Sequence, residues 1–297
     1  MEEFVEILGL GIDKRSKAEV AKNVSSLSAI FLGAFDLRRL ENAKSRTSVN
    51  KLNDLEESIN GVALKMIYKL NDAAFRPIFT QLVEWSSTGL PKSDVLGTTL
   101  RQQSIYGFLY KFFDSLKSIV TSYSSYVVDQ AAKILQEIDI KDVDQRELWR
   151  RVLRTLTKSF EHDQDDFWQA PSHFSAIGPV LVQQFRHAPH VDLGEDLSPA
   201  VVELASAADS QEHQKELNTA LLKHAQSQTA AVRLAAVKCE QALVDKVGEE
   251  WLSMLPEMLP YISELQDDED EVVDRETHRW IVKIEGVLGE SLDSMLQ

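Results

Sequence analysis

The last fifty residues alternate apolar and polar positions with the period of an α-helix. Apolar side chains recur at spacings of three and four from Trp251 to Leu265 and again from Val272 to Leu288, and such spacing predicts two helices that each bury one face. The acidic run from Asp267 to Glu271 lies between them. Its carboxylates suit a helix start, where they cap backbone N–H groups and meet the positive end of the helix dipole. The stretch therefore predicts a helical hairpin.

An earlier segment repeats this pattern. The pair Val232-Arg233 stands 41 residues before Val273-Asp274, and two-helix HEAT repeats have a period of about 40 to 47 residues. One hairpin cannot bury its own apolar face and needs neighbours stacked on it. We therefore predict that residues 198–297 form HEAT repeats that end in a C-terminal cap. Their common core is expected to contain Leu255, Leu259, Ile262, Val273, Trp280 and Ile284.

The rest of the chain has the helical period with less regular spacing. One long helix is predicted from about Ser16 to Asn42, and the polar segment from Asn42 to Lys51 is predicted to be a loop because it has no periodicity. No segment sustains the period-two alternation of a strand. We predict an all-α fold, an α-α superhelix of stacked antiparallel HEAT-like hairpins, in which residues 1–190 form an irregular helical domain.

Local signals predict two helix starts. Asp144 stands three residues before Glu147, which is the spacing of a capping box, and the helix that follows carries apolar residues from Leu148 to Phe160. Ser198 precedes Pro199, which places a capping residue before a first-turn proline.

Composition narrows the class of protein. Hydrophobic residues make up 43% of the chain, and only 12 Gly and 8 Pro interrupt it, which suits a mostly helical core. The single cysteine excludes an internal disulfide and fits a reducing compartment. No apolar run is long enough to span a bilayer, and the acidic start MEEFVEILG differs from the basic start of a signal peptide. We therefore expect no membrane partner.

The charge is unevenly divided. Residues 1–160 hold 23 Lys and Arg against 20 Asp and Glu, whereas residues 161–297 hold 9 against 27. Because a phosphate backbone is repelled by the acidic half, any contact with RNA is expected in the N-terminal half.

The clearest basic feature is a stripe on one predicted helix. Arg146, Arg150, Arg154 and Lys158 recur at every fourth position, where they cover an arc of about 120°, and Arg151 joins them. One interpretation is a solvated helix face. The other is a docking stripe for RNA phosphates or for an acidic protein surface.

Other polar clusters give no convincing chemistry. A metal site requires ligands that converge in space, and we interpret two short runs as loops instead of ligand sets: His162, Asp163, Asp165 and Asp166, and then His187 and His190. Cys239 lies in phase with apolar neighbours and is predicted to be a core residue instead of a nucleophile. Gly-rich phosphate loops and the GxSxG and HExxH motifs are missing from the sequence. We therefore predict no catalytic residue, metal, cofactor or small-molecule substrate.

Three sequence patches resemble one known family. They are FRPIFTQLVEWS at 75–86, SFEHDQDDFWQAPSHF at 159–174, and a C-terminal patch with Leu255-Pro256, Leu259-Pro260, Glu264-Leu265, residues 267–273 and EGVLGESL at 285–292. In this order they are similar to the C-terminal domain of the large HEAT-repeat subunit of the small-subunit processome, the small-nucleolar-RNA-associated "Utp ten" family. The resemblance covers most of the chain.

The resemblance implies a role and partners. Members of this family are several times longer, so the chain is expected to be a C-terminal portion. The implied function is that of a nucleolar, non-catalytic scaffold that helps to load early factors onto the ribosomal RNA precursor. Its partners would be other early assembly subunits, many of them β-propellers. The alternative is a HEAT adaptor of another kind, such as a transport receptor or a regulatory scaffold.

Overall fold

The computed structural model describes residues 1–42 and 48–296, and within these ranges every regular element is a helix. The all-α, HEAT-type fold predicted from the sequence is confirmed. The centre of the loop expected between Asn42 and Lys51, residues 43–47, lies outside the described residues. The α-helices are α1 (Glu2–Lys14), α2 (Lys17–Lys22), α3 (Val24–Phe35), α4 (Leu37–Asn42), α5 (Val49–Ile67), α6 (Asp72–Ser87), α7 (Val95–Leu116), α8 (Val128–Glu137), α9 (Val143–Glu161), α10 (Pro171–Gln183), α11 (Leu197–Ala208), α12 (Gln211–Ala225), α13 (Ala230–Val247), α14 (Glu249–Leu252), α15 (Leu255–Leu265) and α16 (Glu271–Leu288).

The helices form two compact units. The first contains Met1–Leu116 and Val143–Arg151, and the second contains Lys117–Asp142 and Val152–Gln297. Helix α9 thus contributes to both. The sequence suggested a different division, into residues 1–190 and 198–297, which separates irregular helices from regular repeats. That division stays a prediction, because compactness does not measure how regular the repeats are.

The long helix expected from Ser16 to Asn42 is interrupted twice. Its start is as predicted, because Ser16 and Glu19 form a capping box in which each side chain accepts a hydrogen bond from the other's backbone N–H. The chain then leaves helical geometry at Asn23, whose side-chain amide donates to the carbonyl of Glu19 at 2.8 Å, and α3 ends at Phe35. Short polar side chains such as that of Asn23 compete in this way for backbone hydrogen-bonding groups. The spacing of apolar residues does not reveal this competition, so the sequence did not predict the break.

Two other helices begin earlier than predicted. Helix α9 begins at Val143, so Asp144 lies inside the first turn and the predicted capping box is wrong. Helix α11 begins at Leu197 with Asp196 at the N-cap position, and this places Ser198 inside the first turn as well. Both helices themselves are confirmed.

Helix α7 lies at the centre of the first unit. It contacts α3, α4, α5 and α6. The ring centroid of Phe112 lies 5.1 Å from that of Phe79 and 5.6 Å from that of Phe75. Burying each such ring contributes about 1.5–3 kcal/mol. Six large apolar residues of α7 are all buried: Ile105, Phe108, Leu109, Phe112, Phe113 and Leu116.

In the second unit, the 41-residue period relates equivalent positions of α13 and α16. The two helices begin at Ala230 and Glu271, 41 residues apart, and they pack against each other. Equivalent positions are buried in both helices: Val232 and Val273, Ala236 and Thr277, Cys239 and Trp280, and Leu243 and Ile284. Helix α12 packs on α13, and α15 packs on α16. The two helices that are related by 41 residues, α13 and α16, are therefore each the second helix of a helical hairpin.

The predicted repeat core is wrong at one residue, Leu259. Leu259 is half-buried, whereas Met258 is fully buried beside Leu255 and Ile262. The buried positions of α15 are 255, 258, 262 and 265. Residues 258 and 259 both fit a spacing of three or four with Leu255 and Ile262, so the helical period does not choose between them and packing does. The other five predicted core residues are buried.

Candidate nucleic-acid interface

Helix α9 holds the basic stripe that the sequence singled out. Its apolar side, which includes Trp149, Val152 and Leu156, is buried as predicted. Arg146, Arg150 and Arg151 belong to the first compact unit, and Arg154 and Lys158 belong to the second.

Within the first unit, Arg151 is engaged in the interior. Its side chain is only 15% exposed, and one guanidinium nitrogen lies 3.3 Å from Glu56 Oε2. It also donates to Glu147 at 2.9 Å and to the carbonyl of Gln103 at 2.9 Å. Arg146 and Arg150 are half-buried. Arg151 therefore holds α9 against neighbouring helices, which leaves little of its charge for a ligand.

The carboxylate that Arg151 contacts is buried and shared. Glu56 on α5 accepts from Arg38 at 2.6 and 2.8 Å and from the hydroxyl of Ser104 at 2.6 Å. Burial alone would raise the pKa of Glu56, but the hydrogen bonds and charges of Arg38 and Arg151 hold it below its ordinary value. Glu56 is therefore ionised, and it links α5 to three other helices, α4, α7 and α9.

Within the second unit, both basic residues of the stripe also meet carboxylates. Arg154 Nε lies 2.6 Å from Asp196 Oδ1, and Asp196 is 2% exposed while Arg154 remains 50% exposed. Lys158 Nζ lies 2.8 Å from Glu161 Oε2. Each pair reduces the field that a phosphate would meet. The candidate interface is therefore less basic than the sequence alone indicates.

The acidic run after α9 builds a turn. The carboxylate of Asp163 accepts hydrogen bonds from the backbone N–H groups of Asp165, Phe167 and Trp168, at 3.0 to 3.3 Å. These bonds satisfy Asp163 locally, in agreement with the loop interpretation. Among residues 1–42 and 48–296, no group of three or more His, Cys, Asp or Glu side chains is placed to hold a metal ion.

Of the three remaining chemical candidates, His187 and Cys239 are buried and His190 is exposed. His187 has its pKa lowered to about 4 by burial and by the neighbouring charges of Arg186 and His190, so it is neutral at physiological pH. Cys239 is inaccessible, as predicted for a core residue, and burial raises the pKa of its thiol far above the ordinary range. A thiol in this state is a poor nucleophile.

Sequence reasoning missed several buried carboxyl groups, and Glu56 and Glu240 are two of them. Glu56 falls between the buried Leu55 and Ile59 on α5, and Glu240 follows Cys239 on the buried side of α13. Glu240 accepts from Trp251 Nε1 at 2.9 Å, and burial raises its pKa to about 8. The phase of the apolar stripe is the signal that could have located both, because each lies within its arc.

Comparison with known proteins shows the family. The profile of the BP28CT (NUC211) domain matches residues 19–168, which is half of the chain. The chain belongs to the BP28CT (NUC211) domain family. This confirms the resemblance that the three sequence patches suggested.

Relatives in this family match almost the whole chain. The U3 small nucleolar RNA-associated protein 10 of Chaetomium globosum is 64% identical over 99% of this chain, and that of Neurospora crassa is 61% identical over 100%. The chain spans only 17% and 16% of those two proteins. The relatives are therefore several times longer.

Solved structures resemble the chain more weakly. A designed armadillo repeat protein is 12% identical with a TM-score of 0.39, and the match covers 83% of this chain and 99% of that protein. The fold assignment rests on the helices themselves. In the described part of the chain, no helix combines the length and the apolar character that crossing a membrane requires.

Proposed function

We propose that this BP28CT-family chain is a non-catalytic helical-repeat scaffold in early assembly of the small ribosomal subunit. It would act in the processing of precursor ribosomal RNA within the small nucleolar ribonucleoprotein, in the nucleolus. The observation that carries this proposal is the 64% identity over 99% of the chain to a U3 small nucleolar RNA-associated protein. Because the chain spans 17% of that protein, the role proposed is that of one segment.

The local chemistry supports a scaffold. A stacked helical array offers extended surfaces and no built-in active site. The groups with potential chemistry have structural tasks instead: Cys239 fills the core, Asp163 closes a turn and Glu56 joins helices. Other subunits of the processome, including β-propeller proteins, are the proposed partners.

Direct contact with precursor RNA is proposed for the basic stripe. Arg146 and Arg150 are tested first, because the side chain of Arg151 is only 15% exposed and a change at Arg154 would disturb its pair with buried Asp196. Contact would be mainly to phosphates, since the stripe residues are interrupted by no aromatic side chain on that face.

Co-purification tests the proposed function. The full-length protein that contains these residues is tagged in its host, and the bound RNA and proteins are identified. Recovery of precursor ribosomal RNA with processome subunits is expected. Recovery of nuclear-transport or phosphatase partners without ribosomal RNA precursor would support the adaptor alternative and refute this function.

Substitutions test the stripe. Arg146→Gln with Arg150→Gln should reduce RNA cross-linking of the assembled complex, because two phosphate-binding charges are removed while Arg151 stays in place. The matched control is Lys17→Gln with Lys22→Gln, two exposed lysines of α2 in the same unit. Arg154→Glu is unsuitable because it would place a carboxylate against buried Asp196. Equal cross-linking of the wild type and the arginine variant would show that Arg146 and Arg150 do not bind RNA.

A further inference from the structure

Helix α1 has two apolar faces, and residues 1–42 and 48–296 cover only one of them. Val5, Gly9 and Ile12 are buried where α1 packs on α5. On the opposite side lie Phe4, Ile7 and Leu10, which are 49%, 62% and 51% exposed. We call these three residues and Gly11 the outer face of α1. A surface helix normally turns polar residues toward water, and a helix that is apolar all round is normally buried.

The exposure of the outer face does not come from loose attachment. Lys69 Nζ donates to the backbone carbonyls of Ile12, Asp13 and Arg15 at 2.5 to 2.9 Å and so closes the C-terminal end of α1. Lys65 pairs with Asp13 at 2.6 Å. These contacts fix which side of α1 meets α5 and which side faces outward.

The two glycines of α1 differ in their surroundings. A Cβ on Gly9 would meet Val62 of α5 at 3.1 Å, so the close approach of the two helices explains this glycine. A Cβ on Gly11 would meet nothing within 4 Å among the described residues. Glycine inside a helix is destabilising relative to alanine. Gly11 has this cost and no close neighbour in the described structure to explain it. A glycine on an exposed helix face allows another backbone to approach closely.

We infer that the outer face of α1 packs against an antiparallel helix of the same polypeptide, supplied by the part of the longer family proteins that lies outside these 297 residues. This inference is independent of the proposed function. The chain spans 17% of its relative in Chaetomium globosum, so the longer proteins have ample chain to supply the helix. In a helical-repeat array, each unit buries its apolar face against a neighbour.

Spacing and charge specify the occupant. Phe4, Ile7 and Gly11 follow spacings of three and four, which is the seam of a helix pair. Glu3 lies near the N-terminal end of this face and Lys14 at its C-terminal end. An antiparallel helix with an acidic first turn and a basic last turn would complement both ends. The occupant is therefore an amphipathic helix with this charge order.

Photo-crosslinking in the full-length protein tests the inference. Benzoylphenylalanine replaces Ile7, and in a control protein it replaces Tyr68, an exposed residue of the same unit. The Ile7 probe should cross-link within one polypeptide to a helical segment outside the 297 residues, and the Tyr68 probe should not give that product. Cross-links only to a second, isotope-labelled copy, only to another protein, or to no protein would overturn the inference.

Thiol labelling provides an independent readout. Ile7→Cys should react with a maleimide in the 297-residue chain and lose that reactivity in the full-length protein, because the partner helix covers it. Buried Cys239 gives little background in the 297-residue chain, and in the full-length protein the labelling of position 7 is read from the peptide that contains it. Equal labelling rates in the two proteins would contradict a covered face. Co-purification of ribosomal RNA precursor tests the proposed function in a separate experiment. A failure of the proposed function can therefore be told apart from a failure of the inference about α1.

Discussion

Glu56 and Glu240 are both buried glutamates, and their surroundings shift their pKa values in opposite directions. Glu56 is surrounded by donors: two arginines and a hydroxyl reach its carboxylate. Within the described part of the chain, Glu240 has a single donor, the indole of Trp251, and burial dominates its pKa. The balance between desolvation and partners decides the sign of each shift.

Replacing Glu56 should destabilise the protein most at neutral pH. Its pKa is depressed in the folded state, so its stabilising contribution is present above the unfolded pKa near 4.5 and is lost as the pH falls through the folded value. Glu56→Gln leaves Arg38 without its charged partner and should lower the free energy of unfolding by about 3–5 kcal/mol at pH 7. Urea unfolding across pH should show this loss shrinking in acid. A loss that is constant with pH would argue against an ionised Glu56.

Replacing Glu240 should have the opposite dependence on pH. A carboxyl group whose pKa is raised from 4.5 to about 8 on folding contributes stability that is full below pH 4.5 and is lost as the pH rises through 8. Glu240→Gln keeps an acceptor for Trp251 and removes the titration, so its unfolding free energy relative to wild type should increase from pH 4.5 to 8. Glu249→Gln, at an exposed position, is the control and should show no such trend. A flat difference would refute the raised pKa.

At the scale of the element, α15 shows how one position of helical phase changes the role of a side chain. It contains Pro260 and still continues to Leu265. Met258 is fully buried and Leu259 is half-buried, although the two are neighbours of similar hydrophobicity. Sequence alone favoured Leu259.

Alanine substitutions should separate these two neighbours. Met258→Ala removes fully buried atoms and should cost about 2–5 kcal/mol of unfolding free energy, because a cavity remains. Leu259→Ala should cost clearly less. Chemical denaturation of both variants measures the difference. The opposite order, or equal costs, would show that Met258 is not the more deeply buried of the two residues.

Two of the five carboxylates in the turn before α16 have clear structural contacts: Asp270 caps the helix by accepting from the N–H groups of Val272 and Val273, and Asp268 pairs with an arginine. Asp268 receives two hydrogen bonds of 2.7 Å from Arg233 of α13, and the pair is buried, whereas neighbouring Glu269 is 88% exposed. Burial alone would raise the pKa of Asp268, but hydrogen bonds from Arg233 and from the backbone of Asp270 lower it. The sequence run DDEDE does not distinguish these residues.

Neutralising each carboxylate should reveal the difference. Asp268→Asn should lower the free energy of unfolding by about 1.5–3 kcal/mol at neutral pH, the usual worth of hydrogen bonds to a charged group. Glu269→Gln should change it little, because exposed pairs contribute little. Thermal unfolding of the two variants compares them directly. A larger effect of Glu269→Gln would contradict the assigned pair.

At the scale of the whole molecule, charge divides the chain. Residues 161–297 hold 9 Lys and Arg against 27 Asp and Glu, which opposes contact with a phosphate backbone. The division does not depend on which arginines are paired inside the fold. It therefore restricts where RNA is expected.

RNA cross-links to this chain should map to residues 1–160 and weaken as salt rises. Phosphate contacts release counterions, so their affinity falls steeply with ionic strength. Cross-linking of the assembled complex at two salt concentrations, with residue-level mapping, measures both effects. Cross-links that map chiefly to residues 198–297, or that persist unchanged at high salt, would exclude the proposed division.

The sequence by itself determined the helical class, the 41-residue register and five of the six residues predicted for the repeat core, together with the burial of Cys239. These features follow from local spacing, because apolar side chains at the helical period must be buried together. The family resemblance was also readable from three patches.

Only the tertiary structure decided which charged residues are available. Arg151 meets Glu56, and Arg154 meets Asp196, through pairs that are 95 and 42 residues apart in the chain. The buried phase of Glu56 and Glu240 was visible, but the number of donors around each was not. Contacts between distant segments depend on how helices pack, and helical period carries no information about which side chain lies opposite.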